Sequence, residues 1–133
     1  MRIIDFDNSM PFGAVATGKA STAYCPPEHC EKVIVAGTGL SSGSIKAHFD
    51  SNPAQDMWAL GALLYLLCTG VSLFFCDMED NVADADDLLA LSVGDDKFRD
   101  RKLLKITDKL ARNLVSLMLT KNVEKRIDAV HVL

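Results

Sequence analysis

The 133-residue sequence predicts a mainly α-helical domain, and three observations carry that expectation. The stretch Asp56-Met57-Trp58-Ala59-Leu60-Gly61-Ala62-Leu63-Leu64-Tyr65-Leu66-Leu67-Cys68-Thr69-Gly70 carries a charge only at its first residue and lies between helix start and stop signals. Behind Thr107 and Asp108, Leu110, Leu114, Leu117 and Met118 recur at helical spacing and form one expected apolar face. The β-like run Arg2-Ile3-Ile4-Asp5-Phe6 is short, a single β-branched stretch that ends on an acid.

Taken in order, that run reads as a buried strand, and Asn8-Ser9-Met10-Pro11-Phe12-Gly13 follows it as a turn. Residues 14–23 are small and polar without a period and read as a surface loop holding Thr17, Ser21 and Thr22. Tyr24-Cys25-Pro26-Pro27-Glu28 reads as a stiff turn, because two prolines fix two φ angles and remove two amide donors; Glu28 can open a short helix. The Gly/Ser-rich residues 36–47 hold three glycines and several hydroxyls ahead of Lys46, but satisfy neither G-x-G-x-x-G nor a Gly-Lys-Ser/Thr phosphate loop. They read as a flexible insertion. Residues 77–87 form an acidic, solvated segment, and a short helix begins at Asp86-Asp87 with negative charge at its favourable end. Gly94-Asp95-Asp96-Lys97 reads as a turn. Thr107 can cap the next helix, and Asp128 begins a last one.

The central helix is expected over residues 53–69. Asn52 can cap its free amides, Pro53 suits the first helical position, Gln55 stands where a capping box places Glu or Gln, and Gly70 can supply the left-handed terminating residue. Its leucines cover most of the circumference, so the sequence predicts a helix surrounded by protein or by lipid. Residues 57–76 are uncharged and long enough to span a bilayer. Thr69-Gly70 interrupts them midway, however, and the flanks are Asp56 and Asp77 with no adjacent Lys or Arg. A buried central helix is the expectation; a membrane anchor over 57–76 is the alternative.

With 49% hydrophobic residues the chain can form a core, and its formal net charge of −4 argues against nucleic acid or an anionic membrane as partner. Cys25, Cys30, Cys68 and Cys76 form no C-x-x-C pair, which fits a reduced compartment, cytoplasmic or nuclear, and no signal peptide is legible before Asp5 and Asp7. A zinc site from Cys25, His29, Cys30 and His48 matches no common ligand spacing.

The order of these pieces resembles the C-terminal half of a eukaryotic protein kinase domain, whose complete fold is α+β. Ile3-Ile4-Asp5-Phe6-Asp7 looks like the strand and D-F-G element with Asp7 in place of Gly, and Ser21-Thr22-Ala23-Tyr24-Cys25-Pro26-Pro27-Glu28 like the A-P-E region. Asp56-x-Trp58-x-x-Gly61 is similar to D-x-W-x-x-G, and Glu124-Lys125-Arg126-Ile127 to the K-R-I/T close, with Asn122-Val123 where the family has Asp-Pro. The resemblance runs from Arg2 to Leu133 apart from the insertion and divides the chain into an activation segment (5–28), the insertion (36–47), the central helix (53–69) and C-terminal helices (86–133).

What the resemblance implies is specific. Asp5 would be a magnesium ligand, since a hard dication takes carboxylate oxygen. Ser21 and Tyr24 would shape the surface that meets the acceptor residue, in the manner of the serine/threonine branch. Thr17 would be a candidate phosphorylation site, or else an unmodified loop hydroxyl. Glu28 and Arg126 would pair, tying the activation segment to the late helices; Asp56, Trp58 and Gly61 would serve structure, with Asp56 capping amides of a catalytic loop. A complete domain would use ATP and magnesium. No glycine-rich loop, no strand Lys and no H-R-D-x-x-x-x-N is found in these residues, so the chain alone is expected to bind neither cofactor and to be inactive. The readings are a fragment of a serine/threonine kinase whose partners are a protein substrate and an N-terminal lobe, a non-catalytic relic that binds a protein, or the membrane-anchored protein. Without covering helices, the large side chains around the central helix are expected to leave the chain poorly stable.

Overall fold

The computed structural model describes residues 9–16, 22–30, 49–78, 81–93 and 96–132. The architecture is mainly helical. In chain order come β1 (Val15–Ala16), a 3-10 turn (Thr22–Tyr24), β2 (Phe49–Asp50), α1 (Pro53–Thr69), α2 (Ala85–Val93), α3 (Asp96–Leu103), α4 (Lys109–Met118), a second 3-10 turn (Val123–Lys125) and α5 (Ala129–Val132). The expected strand 2–6, the insertion 36–47, Asp5, Thr17, Ser21 and His48 lie outside the described residues.

The signals around the central helix act as the sequence suggests. Asn52 is extended (φ −137°, ψ 136°) and its side chain accepts the Ala54 amide at 2.9 Å, Pro53 opens the helix, and Gly70 ends it at φ 73°. Gln55 departs from the capping box. Its amide nitrogen instead donates to the Asp50 carbonyl, 2.8 Å away, and lies 2.8 Å from His29 Nε2. The helix therefore stops at Thr69, and among the described residues no helix is long and apolar enough to cross a membrane.

Burial around α1 is one-sided, so the side chains that the sequence reads as needing cover on every side find it on one. Met57, Trp58, Gly61, Ala62 and Tyr65 face the core, whereas Leu60 and Leu63 are about two-fifths exposed and Leu67 is 71% exposed. The buried face packs against α4, and the two helices approach at Gly61, where an added Cβ would stand 2.8 Å from Met118 Cβ. That approach selects the buried facet of α4. Val115, Met118 and the following Leu119 are buried, while Leu110 is 83% exposed and Leu117 lies partly in solvent, so the interior stripe is offset from the expected leucine face. The cap is offset too. Asp108, not Thr107, accepts the Ala111 amide at 2.8 Å, and its charge suits the helix's positive end better than a hydroxyl does.

Three further differences follow from local chemistry. Asp96 and Lys97 belong to helix α3 instead of a turn: Asp96 sits at its N-terminal end, Arg101 and Lys102 at its C-terminal end, and Arg99 bridges back to Asp96 at 3.2 Å. Its buried or half-buried apolar residues, Phe98 and Leu103, are five apart, so no helical period was there to read. The loop after Gly13 is partly ordered into β1, which pairs antiparallel with β2 (Val15 opposite Asp50) and continues through a Ser51 amide bond to the Ala14 carbonyl at 2.9 Å. The acidic segment is not wholly solvated. Asp84 accepts the Asp86 and Asp87 amides at the start of α2, and Asp87 accepts the Phe75 amide and pairs with Lys102 at 3.3 Å. The Lys102 ammonium also lies 4.5 Å from the Phe98 ring centroid, beside the stacked Phe74.

Candidate functional site

The residues of greatest chemical interest meet where the segment 22–30 docks on the start of α1. The Pro-Pro turn delivers a short helical stretch, 27–30, held by the His29 and Cys30 amides on the Pro26 carbonyl at 3.0 and 3.2 Å. Glu28 projects from it towards Arg126, which follows the 3-10 turn capped by Asn122. Arg126 Nη1 lies 2.8 Å from Glu28 Oε1 and Nη2 2.9 Å from Oε2, a fork-to-fork pair that spans most of the sequence.

A guanidinium has five N–H donors. Here each has an acceptor: the two Glu28 oxygens, Ala54 O at 2.8 Å, Thr120 O at 2.9 Å and Lys121 O at 3.3 Å. The Arg126 side chain is fully buried, and its central carbon lies 5.2 Å from the Trp58 ring centroid. A buried cation is tolerated only when paired and fully hydrogen-bonded, and both conditions hold. Glu28 keeps 27% of its side chain exposed, so the anion is the wetter half of the pair.

Other expected residues are placed less tightly. Tyr24 is half-buried against the core cluster at the end of its 3-10 turn. Asp56 sits exposed in the first turn of α1, where its charge is favourable. Trp58 and Gly61 are both buried, one under Arg126 and one at the closest approach of α1 and α4. His48, Asp5, Thr17 and Ser21 lie outside the described residues, and among those described no three His, Cys, Asp or Glu side chains converge to hold a metal ion. Nothing in the residue pattern points to the backbone carbonyls of Ala54, Thr120 and Lys121, because every residue carries one. Thr22 was readable only as a loop hydroxyl, yet its Oγ1 accepts the Val82 amide at 2.7 Å and ties the segment to the strand-like bridge between Cys76 and Val82.

With this geometry in place, comparison with known proteins gives a single class of answer. The chain is 30% identical over 126 residues to Calcium-dependent protein kinase 8 of Oryza sativa subsp. japonica. That similarity covers 95% of the chain but 22% of the relative, so the chain spans about a fifth of the protein it matches. No protein-family model matches the chain. The similarity supports a relation to protein kinases.

Proposed function

We propose that this chain is part of a serine/threonine protein kinase, corresponding to the C-terminal helical lobe, and that it supplies the platform on which a protein substrate is presented, not the chemistry of phosphoryl transfer. The observation that carries the reading is the Glu28–Arg126 pair. The two residues that the A-P-E and K-R-I likenesses single out for pairing are 98 positions apart, and they meet as a bidentate, buried clamp beside Trp58. The likeness to a calcium-dependent kinase over almost the whole chain points the same way. In this reading Ser21 and Tyr24 meet the acceptor, Thr17 is a candidate phosphorylation site and Asp5 would hold magnesium in a complete domain. ATP, magnesium and an N-terminal lobe belong to that complete domain. No step through ATP or magnesium is derived from the described residues.

A second reading, a non-catalytic relic that binds a protein, is favoured by the exposed leucines of α1, which offer an apolar surface to a partner. The transcript upstream of the Met1 codon separates the two. An open frame encoding a glycine-rich loop, a strand Lys and H-R-D is the expected result for the kinase reading; an in-frame stop with none of these overturns it and leaves the relic.

A further inference from the structure

A cleft of about 320 Å³ lies between α3 and α4, and none of the residues that line it belongs to the Glu28–Arg126 clamp. Its size falls at the lower end of the range for ligand clefts. On one side are Leu103, which ends α3 and is buried, and Leu104, which is 67% exposed. The other side is a face of α4, where Lys109, Arg112, Asn113 and Ser116 recur at steps of three, one and three. Those steps put all four side chains on one flank of the helix. Each of the four carries a hydrogen-bond donor, and none is acidic.

The Arg112 guanidinium is held in position. Its Nε donates to the carbonyl of Ile106 at 2.8 Å, in the turn that joins the two helices, and Ile106 is itself buried. That bond sets the plane of the fork and leaves its two terminal nitrogens for another acceptor. Among the described residues those nitrogens meet no acceptor, and Lys109 forms no ion pair. The acid on the cleft, Asp100, is already engaged, because its Oδ1 accepts from Arg99 Nε at 3.0 Å and Nη2 at 2.8 Å. The surplus of cations extends beyond the cleft. Residues 97–112 hold seven Lys or Arg against two Asp, in a chain whose net charge is −4.

We propose that the cleft between α3 and α4 binds a segment of another protein that carries a carboxylate close to a large apolar side chain. The carboxylate is taken by Arg112 and Lys109, and the apolar side chain lies on Leu104. A guanidinium fixed at Nε offers its terminal N–H groups to carboxylate oxygen in a set direction, Lys109 adds a second charge one turn earlier, and Asn113 and Ser116 supply further donors. A protein segment fits better than a lipid surface for two reasons. The cations line a cleft, and Arg112, half-buried and tied down at Nε, is not placed to reach out to a plane of headgroups. An anionic bilayer would also meet the negative charge of the whole chain, whereas a short segment in the cleft lies well within a Debye length, about 8 Å, of both cations. The proposal holds under either reading of the chain's function.

The experiment uses the full chain, labelled with nitrogen-15 and carrying Leu63→Glu and Leu67→Lys to remove the apolar face of α1 as a competing site. The probes are four acetylated and amidated peptides in which one Glu and one Leu are separated by zero to three Ala, between Gly and Ser flanks. At low salt, at least one peptide should shift the amide resonances of Lys109, Arg112 and Asn113 and the Arg112 Nε–H resonance, and the shifts should saturate. Replacing the peptide's Glu by Gln should weaken binding at least about tenfold, since hydrogen bonds to a charged group are worth that much. Lys109→Glu and Arg112→Lys in the chain should each do the same. Lys109 is exposed and its replacement leaves the Arg112–Ile106 bond intact, so a fold disturbed at Arg112 does not remove the test. No saturable shift on α4 with any of the four peptides overturns the proposal, as does binding indifferent to Lys109→Glu. Sedimentation of the chain with mixed phosphatidylcholine and phosphatidylserine vesicles, abolished by Lys109→Glu, would make the cleft a lipid site and overturns it too.

Discussion

Removing one partner from the Glu28–Arg126 pair tests the fold and the kinase reading together. Glu28→Gln leaves one oxygen to accept from the guanidinium and turns an amide NH2 towards N–H groups, so a fully buried cation loses its counter-charge. Breaking a buried pair costs about 3–5 kcal/mol. The partial exposure of Glu28 lets water reach the site, which puts this variant at the lower end, about 3 kcal/mol. Arg126→Met should cost more, about 4–5 kcal/mol, because it also strands the carbonyls of Ala54, Thr120 and Lys121. If the two side chains act on each other, the double variant falls short of the sum by about 2 kcal/mol. Urea unfolding followed by the fluorescence of Trp58, the single tryptophan and the ring beneath Arg126, measures all four corners of the cycle. Additivity within about 0.5 kcal/mol would refute the assignment of the clamp.

Three other outcomes are expected. Gly61→Ala gains about 1 kcal/mol of helix propensity but forces a methyl to within 2.8 Å of Met118 Cβ, which is bonded to backbone and cannot swing away; overpacking at about 1–3 kcal/mol makes the net effect a lower melting temperature, and an unchanged or raised one contradicts the close approach of α1 and α4. The chain should show no saturable heat of ATP binding with or without magnesium, and micromolar binding abolished by Asp5→Ala would overturn that. The native chain should bind a hydrophobic dye and self-associate, with both effects reduced in Leu63→Glu/Leu67→Lys at unchanged far-ultraviolet dichroism; a dye-free monomer would show the leucine face to be harmless.

Where one residue fixes local geometry, the sequence was a sound guide. Asn52, Pro53 and Gly70 bound α1 as read, because a cap, a fixed φ and a left-handed φ are properties of single residues. The Pro-Pro turn and the helical stretch after it follow for the same reason. The pairing of Glu28 with Arg126 came from resemblance alone, since nothing local relates residues so far apart. Choices among near-equal neighbours were less legible. Thr107 and Asp108 can both cap, and packing around Gly61 decides which facet of α4 turns inward. Helix α3 has almost no apolar period and is held by its charges, by Phe98 and by Leu103, so its pattern matched a turn as well as a helix.

The two faces of α1 state the functional question physically. Its core face is built from the smaller residues Gly61 and Ala62 with Trp58 and Tyr65, while Leu60, Leu63 and Leu67 stand outward at spacings of three and four. Helix propensity does not account for them, because Lys, Glu or Gln would serve an exposed surface as well as Leu does. Full burial of a leucine is worth roughly 1.5–3 kcal/mol, and with Leu60 and Leu63 only two-fifths exposed the three together forgo roughly 2–4 kcal/mol, a sizeable part of a small domain's stability. Large contiguous apolar patches on a surface accompany interaction sites, and these leucines would form the start of one. The kinase reading covers it with an N-terminal part of the same fold, and the relic reading with a separate protein. Both readings would have α1 present this stripe to a partner, while Arg126 holds the opposite, core-facing side through the Ala54 carbonyl and Trp58.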